Sequence, residues 1–211
     1  VRVLNLYAGI GGNRKLWQDV DVVAVEFNPE IAAIYQEYFP NDTVIVADAH
    51  QYLLDHYKEF DFIWSSPPCQ THSRIRVSQK NRPNFVNYYP DMKLWQEIIF
   101  LQNFAVCPFV VENVIPYYDV FIQPTIEMQR HYFWSNIKLS IVDVPAQEFS
   151  IVCNSSVEPY GFSVKNRSIK HRKDQIIRNL VNPEIGLAIL DQIRGIKRKS
   201  KLKQISILEE L

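Results

Sequence analysis

The chain has 211 residues, 47% of them hydrophobic and 13% aromatic, enough apolar side chain for a sizeable core and too much for wholesale disorder. Lys and Arg number 23, as do Asp and Glu, so the net charge is zero and alone points neither toward nor away from a polyanion. No apolar run reaches the roughly 18 residues of a membrane span, and the opening Val1-Arg2-Val3-Leu4 reads as a strand, so neither a membrane helix nor a secretion signal is expected.

In chain order, Val1–Leu6, Val20–Glu26, Thr43–Ala47, Phe60–Ser65 and Phe109–Glu112 read as strands. Four of them are almost continuously apolar, the pattern of strands covered on both faces. A helix is expected around Leu16. Asn28-Pro29 supplies an N-cap and a first-turn proline, followed by Ile31, Ile34, Tyr35 and Tyr38 at helical spacing. Ala49–Tyr57 and Asp91–Asn103 read as further helices. This alternation predicts an α/β fold with a mostly parallel sheet and helices on both faces. Beyond it, a hairpin of Gln129–Trp134 and Lys138–Val142 is expected around Ser135-Asn136. Residues 145–178 read as irregular, and Asn182-Pro183 starts a helix through Ile193. The loops 66–90 and 145–178 are long enough to suggest function.

The first strand ends in Leu6-Tyr7-Ala8-Gly9-Ile10-Gly11-Gly12, where glycines allow a tight turn and close approach of a ligand. A tight turn needs glycine in any case, so the acids after the next two strands carry equal weight. Glu26 is placed to hold ribose hydroxyls and Asp48 to reach an adenine amino group. The spacing is not the G-x-G-x-x-G of pyrophosphate binders, which favours S-adenosylmethionine over a dinucleotide.

The fourth strand runs into Ser66-Pro67-Pro68-Cys69-Gln70, a stiff loop presenting a thiol at the sheet's carboxyl edge. Cys69 is read as a nucleophile, and Cys107 and Cys153 as ordinary thiols. No cysteine has metal-ligand spacing, so no metal is expected, and free thiols suit a reducing cytoplasm. Glu112-Asn113 arrives at the same edge, and Arg130 opens an aromatic strand. Charge is unevenly spread: Lys165 to Lys203 holds twelve Lys/Arg against three acids, a possible basic face or a merely solvated one.

In this order, Leu-Tyr-Ala-Gly-Ile-Gly-Gly, Pro-Pro-Cys-Gln, Glu-Asn-Val and Gln-Arg-x-Tyr resemble the DNA cytosine-5 methyltransferases over residues 3–134. Asn179-Leu180-Val181-Asn182-Pro183 resembles the family's last block, with Arg178 in place of its usual glycine. The resemblance implies a Rossmann-like S-adenosylmethionine-dependent fold with a small irregular insertion. It implies one catalytic domain over 1–211, with 140–178 as a reduced target-recognition segment and 179–195 completing the cofactor site.

By the same resemblance, Cys69, Glu112 and Arg130 are catalytic. Tyr7, Ala8, Gly9, Ile10, Gly11, Gly12, Glu26, Phe27, Asp48, Ala49, Pro67 and Asn179 bind the cofactor. From their donors and charge, Gln70, Ser73, Arg74, Arg76, Lys165, Arg167, Lys170 and Arg172 are expected to face nucleic acid, with Lys80 and Arg82 extending a basic stripe that is otherwise an ordinary surface loop, and Tyr160 to Arg172 reading bases. The expected partner is double-stranded DNA, and the expected state a cytoplasmic monomer. The family's second arginine, two places before Arg130, is Met128 here. A tRNA cytosine methyltransferase and a silent nucleic-acid-binding relative remain as alternatives, the intact Cys69, Glu112 and Arg130 arguing against silence.

Overall fold

The computed structural model describes residues 1–142, 144, 159–165 and 167–196. Cys153, part of the 140–178 segment and the basic stretch after residue 196 fall outside the described residues. Strands β1 (Arg2–Leu6), β2 (Asp21–Glu26), β3 (Thr43–Val46), β4 (Phe62–Ser65) and β5 (Phe109–Val114) pair in parallel. Strands β6 (Ile126–Met128) and β7 (His131–Ser135) form an antiparallel hairpin joined to β5 through β7. The seven-stranded order is β3-β2-β1-β4-β5-β7-β6. The interiors of β1, β2, β4 and β5 are buried, as their continuous apolar runs require, while β3 is a half-exposed edge.

Helices cover both faces. On one, α1 (Pro29–Tyr38), α5 (Lys173–Arg178) and α6 (Pro183–Ile193) bury Ile34, Ile176 and Ile189 against Val3, Phe62 and Val110. On the other, α2 (Ala49–His56) and α4 (Lys93–Phe104) bury Leu53, Leu94 and Ile98 against Leu4, Ile63 and Val111. Asn28 caps α1 as its sequence predicts, its side chain accepting from the amides of Glu30 and Ile31. A short helix, α3 (Ile75–Gln79), lies in the loop after Cys69.

Three expectations are corrected. No helix forms around Leu16; residues 12–16 are consecutive turns. Asn13 donates to buried Asn5 at 2.8 Å, Arg14 grips Asp42 through two hydrogen bonds of 2.9 and 3.0 Å, and α6 packs directly on the turn. The hairpin lies one element earlier, with its turn at Gln129-Arg130 and Gln129 in the left-handed region (φ 57°). Ser135 and Asn136 do not make a turn because their side chains secure the start of β5. The Asn136 carboxamide accepts from the Phe109 amide at 3.0 Å and donates to the Cys107 carbonyl at 3.0 Å. Finally, α5 occupies part of the segment read as irregular.

The contact between α6 and the first turn depends on Gly186. A Cβ there would lie 2.2 Å from the Asn13 carbonyl oxygen. Gly186→Ala is expected to destabilise the fold by about 1–3 kcal/mol through overpacking, read as a lowered denaturant midpoint.

Candidate active site

The first part of the site is the turn after β1. Tyr7, Gly9 and Gly11 all take positive φ, at 55°, 55° and 88°. The Ala8 amide reaches the Val25 carbonyl at 3.0 Å, and the Gly9 amide reaches Glu26 Oε2 at 3.0 Å. Glu26 Oε1 accepts from the Asn28 amide at 2.9 Å, so this carboxylate braces the turn and the entry to α1 together. Burial raises its pKa against the pull of those amides.

Gly12 must be glycine because a Cβ would lie 2.6 Å from the Val181 carbonyl oxygen. That close approach brings Asn179 to Val181 over the turn. Tyr7, Ala8, Gly9, Ile10, Gly12 and Asn179 consequently line one cleft, together with Ser66. Gly11 does not face it, since a Cβ there would strike the Phe39 ring in the core at 2.2 Å. A Cβ on Gly9 would meet nothing within 4 Å, so that residue fronts open space. Beside it Phe27 is 74% exposed, a free aromatic face next to the Glu26 carboxylate. Asp48 caps α2 and pairs with Lys93 at 3.1 Å, and Ala49 is buried behind it. An open glycine turn, a braced acid and an exposed ring fit a nucleoside.

The second part lies where β4 and β5 end side by side. The Asn113 side-chain amide donates to the Pro67 carbonyl at 2.8 Å, tying the end of β5 to the proline loop. The Cys69 carbonyl accepts from the amides of His72 and Ser73, both at 3.0 Å, which curls the loop after the thiol. The loop is then stitched to the chain after β5. The Tyr117 backbone amide donates to the His72 carbonyl at 3.1 Å, the Tyr118 hydroxyl meets His72 Nδ1, and Ser73 bridges Pro116. Cys69 and Glu112 therefore share one edge. The Cys69 thiol is pushed up to about 11, by burial first and by the Glu112 charge second.

Glu112 is buried, with His131 Nε2 3.5 Å from its Oε1. Arg130 occupies the turn between β6 and β7; its carbonyl accepts from the Ile115 amide at 3.2 Å and its side chain is exposed. Met128, where the family's second arginine is expected, is buried in the core.

The residues expected to face nucleic acid divide into two groups. Gln70, Ser73, Arg74 and Arg76 lie in the Cys69 loop. Arg74 donates to the Pro116 carbonyl at 3.4 Å, while Arg76 donates to the Val86 carbonyl at 2.8 Å between the Phe85 and Tyr88 rings. Both brace the loop and leave Lys80 and Arg82 exposed on it. The second group is not brought to Cys69. Arg167 pairs with Glu37 late in α1 and the Lys170 amide meets Glu30 early in α1, so this segment runs back along α1 on the β2–β3 side. Arg172 pairs with Asp174, whereas Lys165 and Lys170 have no ion pair among the described residues.

The sequence profile of the C-5 cytosine-specific DNA methylases matches residues 1–114, more than half of the chain, from β1 through Glu112-Asn113-Val114. The chain belongs to that family. Its methyl donor is accordingly S-adenosylmethionine. No curated protein sequence matches this methylase. Among solved structures, a Spodoptera frugiperda DNMT2 mutant is 24% identical over 54% of this chain and 35% of its own, with a TM-score of 0.36. The Entamoeba histolytica methyltransferase EhMeth is 17% identical over 54% of this chain and 38% of its own, at 0.36. A TehB-like SAM-dependent methyltransferase of Corynebacterium glutamicum is 17% identical over 57% and 58%, at 0.37. The methylase thus spans less than two thirds of each of these relatives.

Sequence reasoning missed Glu97, His50, Ser65 and His131. One signal was available for Glu97: it follows Leu94 and precedes Ile98 and Leu101, so an acid stands on the apolar stripe of α4. Among the described residues no cluster of His, Cys, Asp and Glu could hold a metal, and no helix is long and apolar enough to cross a membrane.

Proposed function

We propose that this methylase transfers a methyl group from S-adenosylmethionine to carbon 5 of a cytosine flipped out of duplex DNA, through a covalent Cys69 adduct. The observation that carries this reading is the convergence of Cys69 and Glu112 on one sheet edge, locked by the bond from Asn113 to Pro67, beside the glycine-turn cleft. When bound, S-adenosylmethionine would supply an electrophilic methyl from its sulfonium, leaving the neutral thioether S-adenosylhomocysteine. Carbon 5 of cytosine is a poor nucleophile until a thiolate adds to carbon 6 and makes the ring an enamine. Cys69 supplies that thiolate, its proton passing to water as the bond to carbon 6 forms.

Addition moves negative charge toward ring nitrogen 3 and oxygen 2. Glu112 in its protonated form donates to nitrogen 3, and Arg130 reaches oxygen 2 from the β6–β7 turn. Protonated Glu112 also no longer opposes the thiolate, so one proton serves both groups. Water then takes the carbon 5 proton, the freed electron pair re-forms the carbon 5–carbon 6 double bond, and the carbon 6–sulfur bond breaks to return Cys69 as a thiolate and release the product.

Glu26 and Phe27 hold ribose and adenine, Asp48 and Ala49 bound the adenine side, and Asn179 closes the cleft. Flipping costs a few kcal/mol, and the loop from Gln70 to Arg76 is placed to cover the extruded base. We read residues 1–211 as one catalytic domain, with 140–178 as the reduced recognition segment and 179–195 completing the cofactor site. Support comes from Ile185 and Ile189, which pack in the same core as β1 and β4. Cys69 and Cys107 are free thiols, in keeping with a reducing cytoplasm.

One observation favours RNA as a second reading. Tyr88 and Tyr89 are 59% and 93% exposed in the basic loop, as in proteins that stack unpaired bases. Labelled methyl transfer to duplex DNA and to tRNA, followed by nucleoside analysis, decides between the two. The expected product is 5-methyldeoxycytidine; label confined to 5-methylcytidine in tRNA would overturn the DNA assignment.

A further inference from the structure

Glu97, on α4, is fully buried and has no part in the chemistry above. A carboxylate there is costly unless donors surround it. Its Oε1 accepts from the Tyr7 hydroxyl and lies 3.0 Å from His50 Nδ1, and its Oε2 accepts from the Ser65 hydroxyl at 2.7 Å. These partners come from three other places: Tyr7 opens the glycine turn, Ser65 ends β4 ahead of the Cys69 loop, and His50 stands in the first turn of α2. We propose that Glu97 is a positioning residue that locks the cofactor turn onto the end of β4, with His50 as its proton-carrying partner.

Tyr7 needs such a lock. Its φ of 55° is a conformation that residues other than glycine rarely adopt, so the surrounding structure must hold it. Gly9, two residues on, donates its amide to Glu26, so release of Tyr7 disturbs the ribose side of the cleft as well. Fixing Tyr7 therefore preorganises the turn before the cofactor arrives.

The lock depends on pH. The charged groups facing His50 are Glu97 and Lys93 from α4 and Asp48 at the start of its own helix, with Tyr7 sharing the same Glu97 oxygen. The Glu97 hydrogen bond holds the pKa of His50 above its ordinary value, against burial and Lys93. The imidazolium–carboxylate pair is thus complete at a pH below the ordinary imidazole range and fades as pH rises through the raised value. Cofactor affinity should fade with it.

This inference rests on reading Tyr7 to Gly12 as the cofactor turn, and calorimetric titration of S-adenosylmethionine tests it without any nucleic acid, so an error in the assigned substrate leaves the result untouched. Wild type should bind about fivefold or more weaker at about pH 9 than at about pH 6. His50→Asn, with an amide nitrogen near the position of Nδ1, should lose the part of the pH dependence due to His50 and keep only that of the ligand's own amino group. Tyr7→Phe, which deletes only the hydroxyl, should lose about tenfold or more in affinity at the lower pH. Thermal melting of each unliganded variant reads folding separately. A His50→Asn profile that parallels wild type, or a folded Tyr7→Phe with wild-type affinity, would overturn the proposal.

Discussion

Cys69→Ser is expected to reduce methyl transfer to background while S-adenosylmethionine binds as in wild type. The two effects separate because the proposed cofactor cleft is lined by Tyr7 to Ile10, Gly12 and Asn179 to Val181, and Cys69 is not among its lining residues. Even with its thiol pushed up to about 11, Cys69 is a far stronger acid and nucleophile than an alcohol. Single-turnover transfer and calorimetric cofactor titration on the same preparation measure both effects. Retained turnover would remove Cys69 from the mechanism, and lost cofactor binding would make it part of the cleft.

Glu112→Gln is expected to change two rates in opposite directions. Transfer should fall by about 10²–10³, the usual cost of weakening stabilisation of developing charge, because the amide can still donate a hydrogen bond but cannot yield the acid's proton. Alkylation of Cys69 by iodoacetamide, without substrate, should become faster. Burial is the larger cause of the raised thiol pKa and survives the substitution, but the negative charge of Glu112 is the second cause and is removed. A lower thiol pKa at fixed pH means more thiolate, and alkylation follows the thiolate. Because glutamine matches glutamate in size, overpacking does not enter. Unchanged transfer would take Glu112 out of the chemistry, and slower alkylation would contradict its electrostatic coupling to Cys69.

The sheet is legible in the sequence because strands covered on both faces leave short, β-branched apolar runs bounded by turn residues. Phe60–Ser65 and Phe109–Glu112 announce β4 and β5 to within two residues at each end. The glycine turn, Pro-Pro-Cys-Gln and Glu-Asn-Val are legible because each is short and its chemistry depends on adjacent residues. Where the reading failed, distant partners decided the outcome. Leu16 lies in no helix because Asn5, Asp42 and α6 claim the segment around it. Ser135-Asn136 has turn composition, yet its side chains are spent on Phe109 and Cys107.

The same limit applies to charge. Arg167 looks available for phosphate until Glu37, 130 residues away, is found holding it through a 3.0 Å hydrogen bond. His50 and Glu97 are far apart in sequence and unremarkable individually, so only the fold reveals that they meet beside Tyr7 of the glycine turn.

The covalent step is tested most directly by a duplex with 5-fluorocytosine in place of the target cytosine. After methyl transfer the fluorine cannot leave as a proton, so Cys69 should remain bonded to carbon 6. Intact-mass spectrometry under denaturing conditions should then show the protein heavier by one DNA strand plus a methyl group, with the bond mapped to Cys69 and absent in Cys69→Ser. Methylation of ordinary cytosine by a wild-type protein that forms no such adduct would contradict the mechanism.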